Sequence, residues 1–158
     1  MATPLARPQA LRILDQLVGK KIERARLGIA PTLMIEAGSL MTATAGDQRF
    51  EWYLWIQHAA WRIEQEHRIV LASNDDRGEN DPGATAVLRK LATLTIQSVG
   101  LSEPANDLLL VLSGNTVLRT FVDQRLEGSE SCWDLFTPTN EILSLGTDGV
   151  LSMAPARK

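Results

Sequence analysis

At 158 residues, with 44% apolar and 22% charged side chains, the chain has the make-up of one folded domain, or of two small halves around a shared core. A net charge of −3, with acids and bases interleaved, disfavours a nucleic-acid binder, and a single cysteine, Cys132, excludes an intrachain disulfide or a multi-cysteine zinc site. No apolar run approaches the ~20 residues of a membrane span, and the first eight residues lack the apolar core of a signal peptide, so a cytoplasmic protein is expected.

Pro8 to Val18 places Leu11, Leu14, Leu17 and Val18 at helical spacing, with Pro8 suited to the first turn and Gly19 to a left-handed stop. Arg7 is a poor N-cap. Lys20 to Leu27 follows as a strand; Pro31 breaks the run, and Thr32 to Glu36 begins another. Gly38 and Gly46 bracket a segment, Ser39 to Ala45, expected to be less regular. Phe50 to Ile56 is a strand with Trp52, Leu54 and Ile56 on one face and Tyr53 and Trp55 on the other, covered on both faces or lying at an interface. Trp61-Arg62-Ile63 and Arg68 to Leu71 predict a hairpin joined through Glu64-Gln65-Glu66-His67, and the polar stretch from Ser73 to Asp81 predicts a linker.

Beyond it, Asp81 is a good N-cap for a helix from Pro82, followed by a strand from Leu94 to Leu101. The apolar run within Asp107 to Leu112 predicts a central, buried strand, and Ser113-Gly114-Asn115 turns the chain into Thr116 to Val122. Trp133 to Phe136 pairs with Ile142 to Leu145 through Thr137-Pro138-Thr139-Asn140, and Gly146 to Gly149 starts a reversal into Val150 to Met153.

The second half echoes the first. At a shift of 74, Pro82 falls on Pro8, Leu88 on Leu14, Leu91 on Leu17 and Ile96 on Ile22; at 72, Trp133 falls on Trp61 and Leu135 on Ile63. This predicts an α+β fold of two tandem repeats, each a helix plus an antiparallel meander, packed about a pseudo-two-fold axis: a single domain over 1–158, with repeats at 8–72 and 82–153 and a linker at 73–81.

Chemistry-bearing residues are sparse. His58 and His67 lack metal-pair spacing, and Cys132 is expected to be a buried thiol. Asp75, Asp76, Glu79 and Asp81 lack the alternation and closing glutamate of a calcium loop. No metal or cofactor is expected, and the residues lean away from an enzyme. The aromatic distribution is the uneven feature: Trp61 and Trp133 match and are expected in the core, whereas Trp52, Tyr53 and Trp55 have no aromatic counterparts. That strand, with Glu51 and His58, is the candidate surface for a protein partner, a ligand or a homodimer seam. The competing expectation is a small-molecule binder or enzyme using Glu51, His58 or Glu64 beside it.

The run Cys132-Trp133-Asp134-Leu135-Phe136-Thr137-Pro138-Thr139-Asn140-Glu141-Ile142-Leu143, followed by Asp148-Gly149, resembles small uncharacterised bacterial α+β families with a duplicated Trp-hairpin, some of them similar to immunity proteins encoded beside polymorphic toxins. The resemblance covers only the end of each repeat and carries over no catalytic residue. It implies a non-enzymatic, cytoplasmic, protein-binding role, such as inhibition of a toxin partner.

Overall fold

The computed structural model describes residues 2–42, 46–75, 81–128 and 130–156. Its elements in chain order are β1 (Thr3–Pro4), α1 (Arg7–Leu14) with a 3-10 turn (Asp15–Leu17), β2 (Ile22–Leu27), β3 (Leu33–Thr42), β4 (Gln48–Ile56), β5 (Ala60–Gln65), β6 (Arg68–Ala72), α2 (Pro82–Leu91), β7 (Ile96–Ser102), β8 (Asp107–Leu112), β9 (Thr116–Phe121), β10 (Ser131–Phe136), β11 (Glu141–Gly146) and β12 (Leu151–Pro155). Antiparallel sheet dominates, and the two helices are short.

The strands form a seven-stranded sheet in the order β1-β12-β11-β10-β4-β3-β2 and a five-stranded sheet in the order β6-β5-β9-β8-β7. The expectation that each half keeps its own meander is corrected. Each sheet joins a three-stranded meander from one half of the chain to the Trp hairpin of the other: β2-β3-β4 meets β10-β11, and β7-β8-β9 meets β5-β6. The change of sheet after β4 occurs at Gln57-His58, whose backbone N–H groups both donate to the Cys132 carbonyl, at 3.0 and 3.4 Å. The helices are exchanged in the same sense, α1 lying against β7 and α2 against β2.

Where the two meanders begin, Lys21 and Thr95 face each other across an antiparallel bridge. Ile22 N–H donates to the Leu94 carbonyl at 2.8 Å and Ile96 N–H to the Lys20 carbonyl at 2.9 Å. Both meanders shift register just beyond, between Ile22 and Arg24 and between Ile96 and Ser98.

Alternation fixes which faces are buried. Trp52, Leu54 and Ile56 of β4, Leu33, Ile35 and Ala37 of β3, and Trp133 and Leu135 of β10 point inward. They meet Trp61, Ile63, Leu108, Leu110, Leu112 and Leu118 of the other sheet in one contiguous core, closed by Ala10 and Leu14 of α1 and Ala84 and Leu91 of α2. The two matched tryptophans are buried as expected, Trp61 at 2% and Trp133 at 0% exposure.

Helix starts follow the sequence. Asp81 caps α2 by accepting from Gly83 N–H at 2.9 Å. Ahead of α1, Ala6 has no side-chain oxygen to cap with, and Gln9 Oε1 reaches back to accept from the Ala6 N–H at 3.2 Å. Gly19 takes the left-handed conformation at φ +87°.

Four further expectations are corrected. Ser39 does not open an irregular segment, because β3 runs on to Thr42 through a bulge between Ala37 and Leu40, with Gly38 at φ +88° admitting the extra residue; residues 43–45 lie outside the described residues. The β5–β6 hairpin turns on Glu66-His67 alone, both at positive φ, so Glu64 and Gln65 are strand residues. β8 is not buried on both faces: Leu108, Leu110 and Leu112 face the core, while Leu109 and Val111 are half-exposed. Ser73, expected in the linker, extends the hairpin, its N–H donating to the Trp61 carbonyl and its hydroxyl accepting from Trp61 N–H. Asp76 and Glu79 of the expected acidic loop lie outside the described residues.

Candidate functional site: the outer face of the seven-stranded sheet

The period-two rule that buries Trp52 sends Glu51, Tyr53 and Trp55 to the opposite, outer face. Neighbouring strands complete two rows there. Met34 of β3 and Asp134 of β10 flank Trp55, while Glu36 and Phe136 flank Tyr53. Further along, Ser144 lies opposite Asp134 and Ile142 opposite Phe136. The Tyr53 and Trp55 rings stack with centroids 6.5 Å apart, and Tyr53 meets Phe136 at 5.7 Å with a 39° tilt. All three rings are half-exposed.

Charged and polar groups border this aromatic centre. On the β2 side, Glu36 receives Arg24 at 3.8 Å and Arg26 at 4.0 Å. At the other end Asp134 accepts from Ser144 Oγ at 2.5 Å, Ser131 Oγ at 2.9 Å and Gln57 Nε2 at 3.1 Å. These groups line a polar basin of about 930 Å³ together with Arg125 and Ser152. An apolar centre with a hydrogen-bonding rim is the general anatomy of a protein-binding patch.

The expected site residues separate. Tyr53 and Trp55 share the outer face; Trp52 is a core residue at 3% exposure and leaves the site. Glu51 lies on the same face but is committed locally: Ser39 N–H donates to its Oε1 at 2.6 Å, and Lys20 Nζ lies at 3.3 and 3.4 Å from its two oxygens. The Ser39 bond, outweighing the opposing effect of burial and aided by Lys20, holds this carboxyl below the usual range. His58 sits past the other end of β4, roughly 20 Å along the strand from Glu51, with its Nε2 2.9 Å from Glu130 Oε2. Glu64 belongs to the other sheet, where burial pushes its pKa up but bonds from Arg62 and Arg119 outweigh this and leave it lowered. Glu51, His58 and Glu64 therefore do not form one acid–base site. Among the described residues, no three His, Cys, Asp or Glu side chains come together as a metal-holding group.

Phe136, Met34 and Asp134 were not singled out by the sequence. Period-two alternation in Trp133-Asp134-Leu135-Phe136 carries the signal for Asp134 and Phe136, since a buried Trp133 and Leu135 send both outward. Met34 becomes visible only once its pairing with Trp55 is known.

The outer face of the five-stranded sheet makes a different surface. Arg119 and Val117 of β9 stand opposite Arg62 and Glu64 of β5, as Trp55 and Tyr53 stand opposite Asp134 and Phe136. Glu64 Oε2 accepts from Arg119 Nε at 2.5 Å and Arg62 Nε at 3.1 Å, and the Arg62 guanidinium lies 5.1 Å from the Phe121 ring centroid. One outer face is centred on aromatic rings, the other on an ion cluster.

Glu51 and Gly38 form a close local lock. A Cβ on Gly38 would stand 2.7 Å from Glu51 Oε1, at a backbone φ of +88° that disfavours any side chain. Gly38→Ala is expected to destabilise the fold by about 1–3 kcal/mol in urea denaturation. Glu51→Gln is expected to lose about 1–2 kcal/mol at neutral pH. Because the folded pKa of Glu51 is lowered, its contribution is present above the unfolded value of ~4.3 and is lost as pH falls through the folded value; the gap between wild type and Glu51→Gln should therefore close in acid.

Cys132 is fully buried. Burial, assisted by Asp107, Asp123, Asp148 and Asp134, pushes its thiol up to about 12. In the native protein at pH 8 it should resist thiol reagents, reacting at the rate of unfolding.

No protein-family model, curated protein or solved structure matches the chain. Among the described residues no helix is long and apolar enough to cross a membrane.

Proposed function

We propose that the chain is an internally duplicated, non-enzymatic cytoplasmic protein that binds another protein through the outer face of its seven-stranded sheet. The observation that carries this reading is the half-exposed Tyr53–Trp55–Phe136 row beside a polar rim. Two repeats about a pseudo-two-fold axis, sharing one domain, are supported by the reciprocal Ile22–Leu94 and Ile96–Lys20 bonds and by the exchanged hairpins. On that reading the two outer faces began alike, and the aromatic one is where the first repeat diverged. The Trp-hairpin resemblance favours an immunity-type inhibitor, whose work is to occupy a partner's surface and needs no reactive group.

A retention experiment from the native host tests the proposal. A protein held by the wild-type chain and released by a Trp55→Ala variant that still unfolds cooperatively within a few degrees of wild type supports it; equal retention by both contradicts it. A concentration-dependent dimer lost in Trp55→Ala would assign the face to self-association instead.

The polar basin gives a second reading specific support. Gln57, Ser131 and Ser144 converge on Asp134 within a 930 Å³ space, which suits a small polar ligand. Ligand-dependent stabilisation abolished by Ser144→Ala, with Trp55→Ala silent, would favour it.

A further inference from the structure

Strand β2 ends the seven-stranded sheet, and among the described residues no named strand continues the sheet past it. Its start is held by the Lys21–Thr95 bridge, but beyond Ile22 the two sheets diverge, and the space between β2 and helix α2 opens into a groove of about 940 Å³. Gly28 N–H donates back to the Thr32 carbonyl at 3.0 Å, so Gly28, and by alternation Arg26 and Arg24, turn their backbone groups toward β3. Ala25 and Leu27 therefore turn their N–H and C=O groups into the groove. Two apolar side chains stand at its mouth, Leu27 at 38% and Ile29 at 93% exposure.

The matching edge is treated differently. Across the fold, β7 ends the five-stranded sheet beside α1, and the Arg7 guanidinium donates to the Leu101 and Pro104 carbonyls, both at 3.4 Å. Leu101 corresponds to Leu27 at the shift of 74, and the residue corresponding to Arg7 is Asp81. A carboxylate cannot donate to a strand carbonyl, and Asp81 instead caps α2. The closing device present on β7 is thus absent by residue type from β2.

We infer that this groove binds an extended peptide segment of another protein as an added strand on β2, with apolar residues at alternate positions and acidic residues between them. Size fits one strand: six residues, about 20 Å long, 4.8 Å wide and 10 Å deep, fill roughly 950 Å³. Charge selects the acids. Arg24 and Arg26 share the single carboxylate of Glu36, Arg89 has no ion pair among the described residues, and the groove's acids Glu23 and Asp81 are engaged with Lys21 and the α2 N-terminus. Main-chain bonds to Ala25 and Leu27 would supply affinity, and the apolar side chains of Leu27 and Leu88 the register. The site shares Arg24 and Arg26 with the rim of the aromatic face, but its strand edge at Ala25 and Leu27 and its Arg89 do not belong to that face.

The test is selection of a displayed library of random eight-residue peptides against the whole chain, followed by fluorescence polarisation with the enriched peptide. The expected consensus alternates apolar and acidic residues. Ala25→Pro removes one groove-facing N–H at an edge where proline is tolerated, and should abolish binding. Arg89→Glu, an exposed change that safeguards against misfolding of the first variant, should weaken binding roughly tenfold and steepen neither melting nor aggregation. Failure to enrich any peptide, a consensus of helical period, or binding unchanged in both variants would overturn the inference. A dimer of this chain abolished by Ala25→Pro would also overturn it, giving the edge to a second copy.

Discussion

Trp133→Ala is expected to destabilise the protein by about 3–5 kcal/mol, the largest effect of any single substitution considered. Trp133 is fully buried and stands in the pairing between Ile56 of β4 and Leu145 of β11. It therefore lies where the hairpin of the second half joins the meander of the first. Removing the ring leaves a cavity at the β4–β10 pairing, the longer of the two direct strand pairings between the halves described in the seven-stranded sheet, and neighbours on both sides are held by ladder bonds and cannot collapse into it. For a chain of this length the melting temperature should fall by roughly 10 °C or more. Trp61→Ala is expected to be comparably severe, since Trp61 is also buried and its Nε1 donates to the Pro31 carbonyl at 2.5 Å. Urea denaturation with an unchanged slope checks both; a loss below about 1 kcal/mol for Trp133→Ala would show that the hairpin exchange does not depend on this side chain.

Trp55→Ala should behave in the opposite way. The ring is half-exposed on the outer face, supported by Tyr53 on one side and flanked by Met34 and Asp134, so its loss removes contact area for a partner without opening the core. Stability should fall by about 1 kcal/mol, whereas the Kd for the partner should rise roughly thirtyfold, equivalent to about 2 kcal/mol at a hot spot. Arg119→Ala, at the corresponding place on the five-stranded sheet, should leave the Kd within about twofold while losing its bond to Glu64. Isothermal titration of the two variants in parallel separates a docking face from a general loss of structure.

Much of this arrangement is legible from local chemistry. Period-two alternation in Phe50 to Ile56 separates Trp52 from Tyr53 and Trp55, and the Asp81-Pro82 start marks a helix boundary through capping. The Gly19 stop misplaces the other boundary: α1 ends at Leu14 and tightens into the Asp15–Leu17 3-10 turn before the chain reaches the left-handed Gly19. The match of Trp61 with Trp133 locates two core residues. Strand exchange is not legible, because nothing in Gln57-His58-Ala59 states that the chain leaves one sheet for another; that follows from the Cys132 carbonyl accepting both N–H groups, a contact 74 residues away at its nearest. The extension of β3 through Ser39 is hidden for a related reason. Gly38 resembles a strand terminator, but its positive φ makes a bulge whose geometry is held by the distant Glu51 carboxylate. Trp52 shares with Tyr53 and Trp55 the lack of an aromatic counterpart, yet that lack does not set a side chain's direction; alternation along β4 does, and it buries Trp52 at 3% exposure.

The most direct test of the docking face uses Tyr53, the single tyrosine of the chain. Modification of its ring by nitration, followed by mass spectrometry in the free protein and in complex with the retained partner, reports contact at the centre of the aromatic row. The account predicts that Tyr53 is modified in the free protein and shielded in the complex. Equal modification in both states would contradict it.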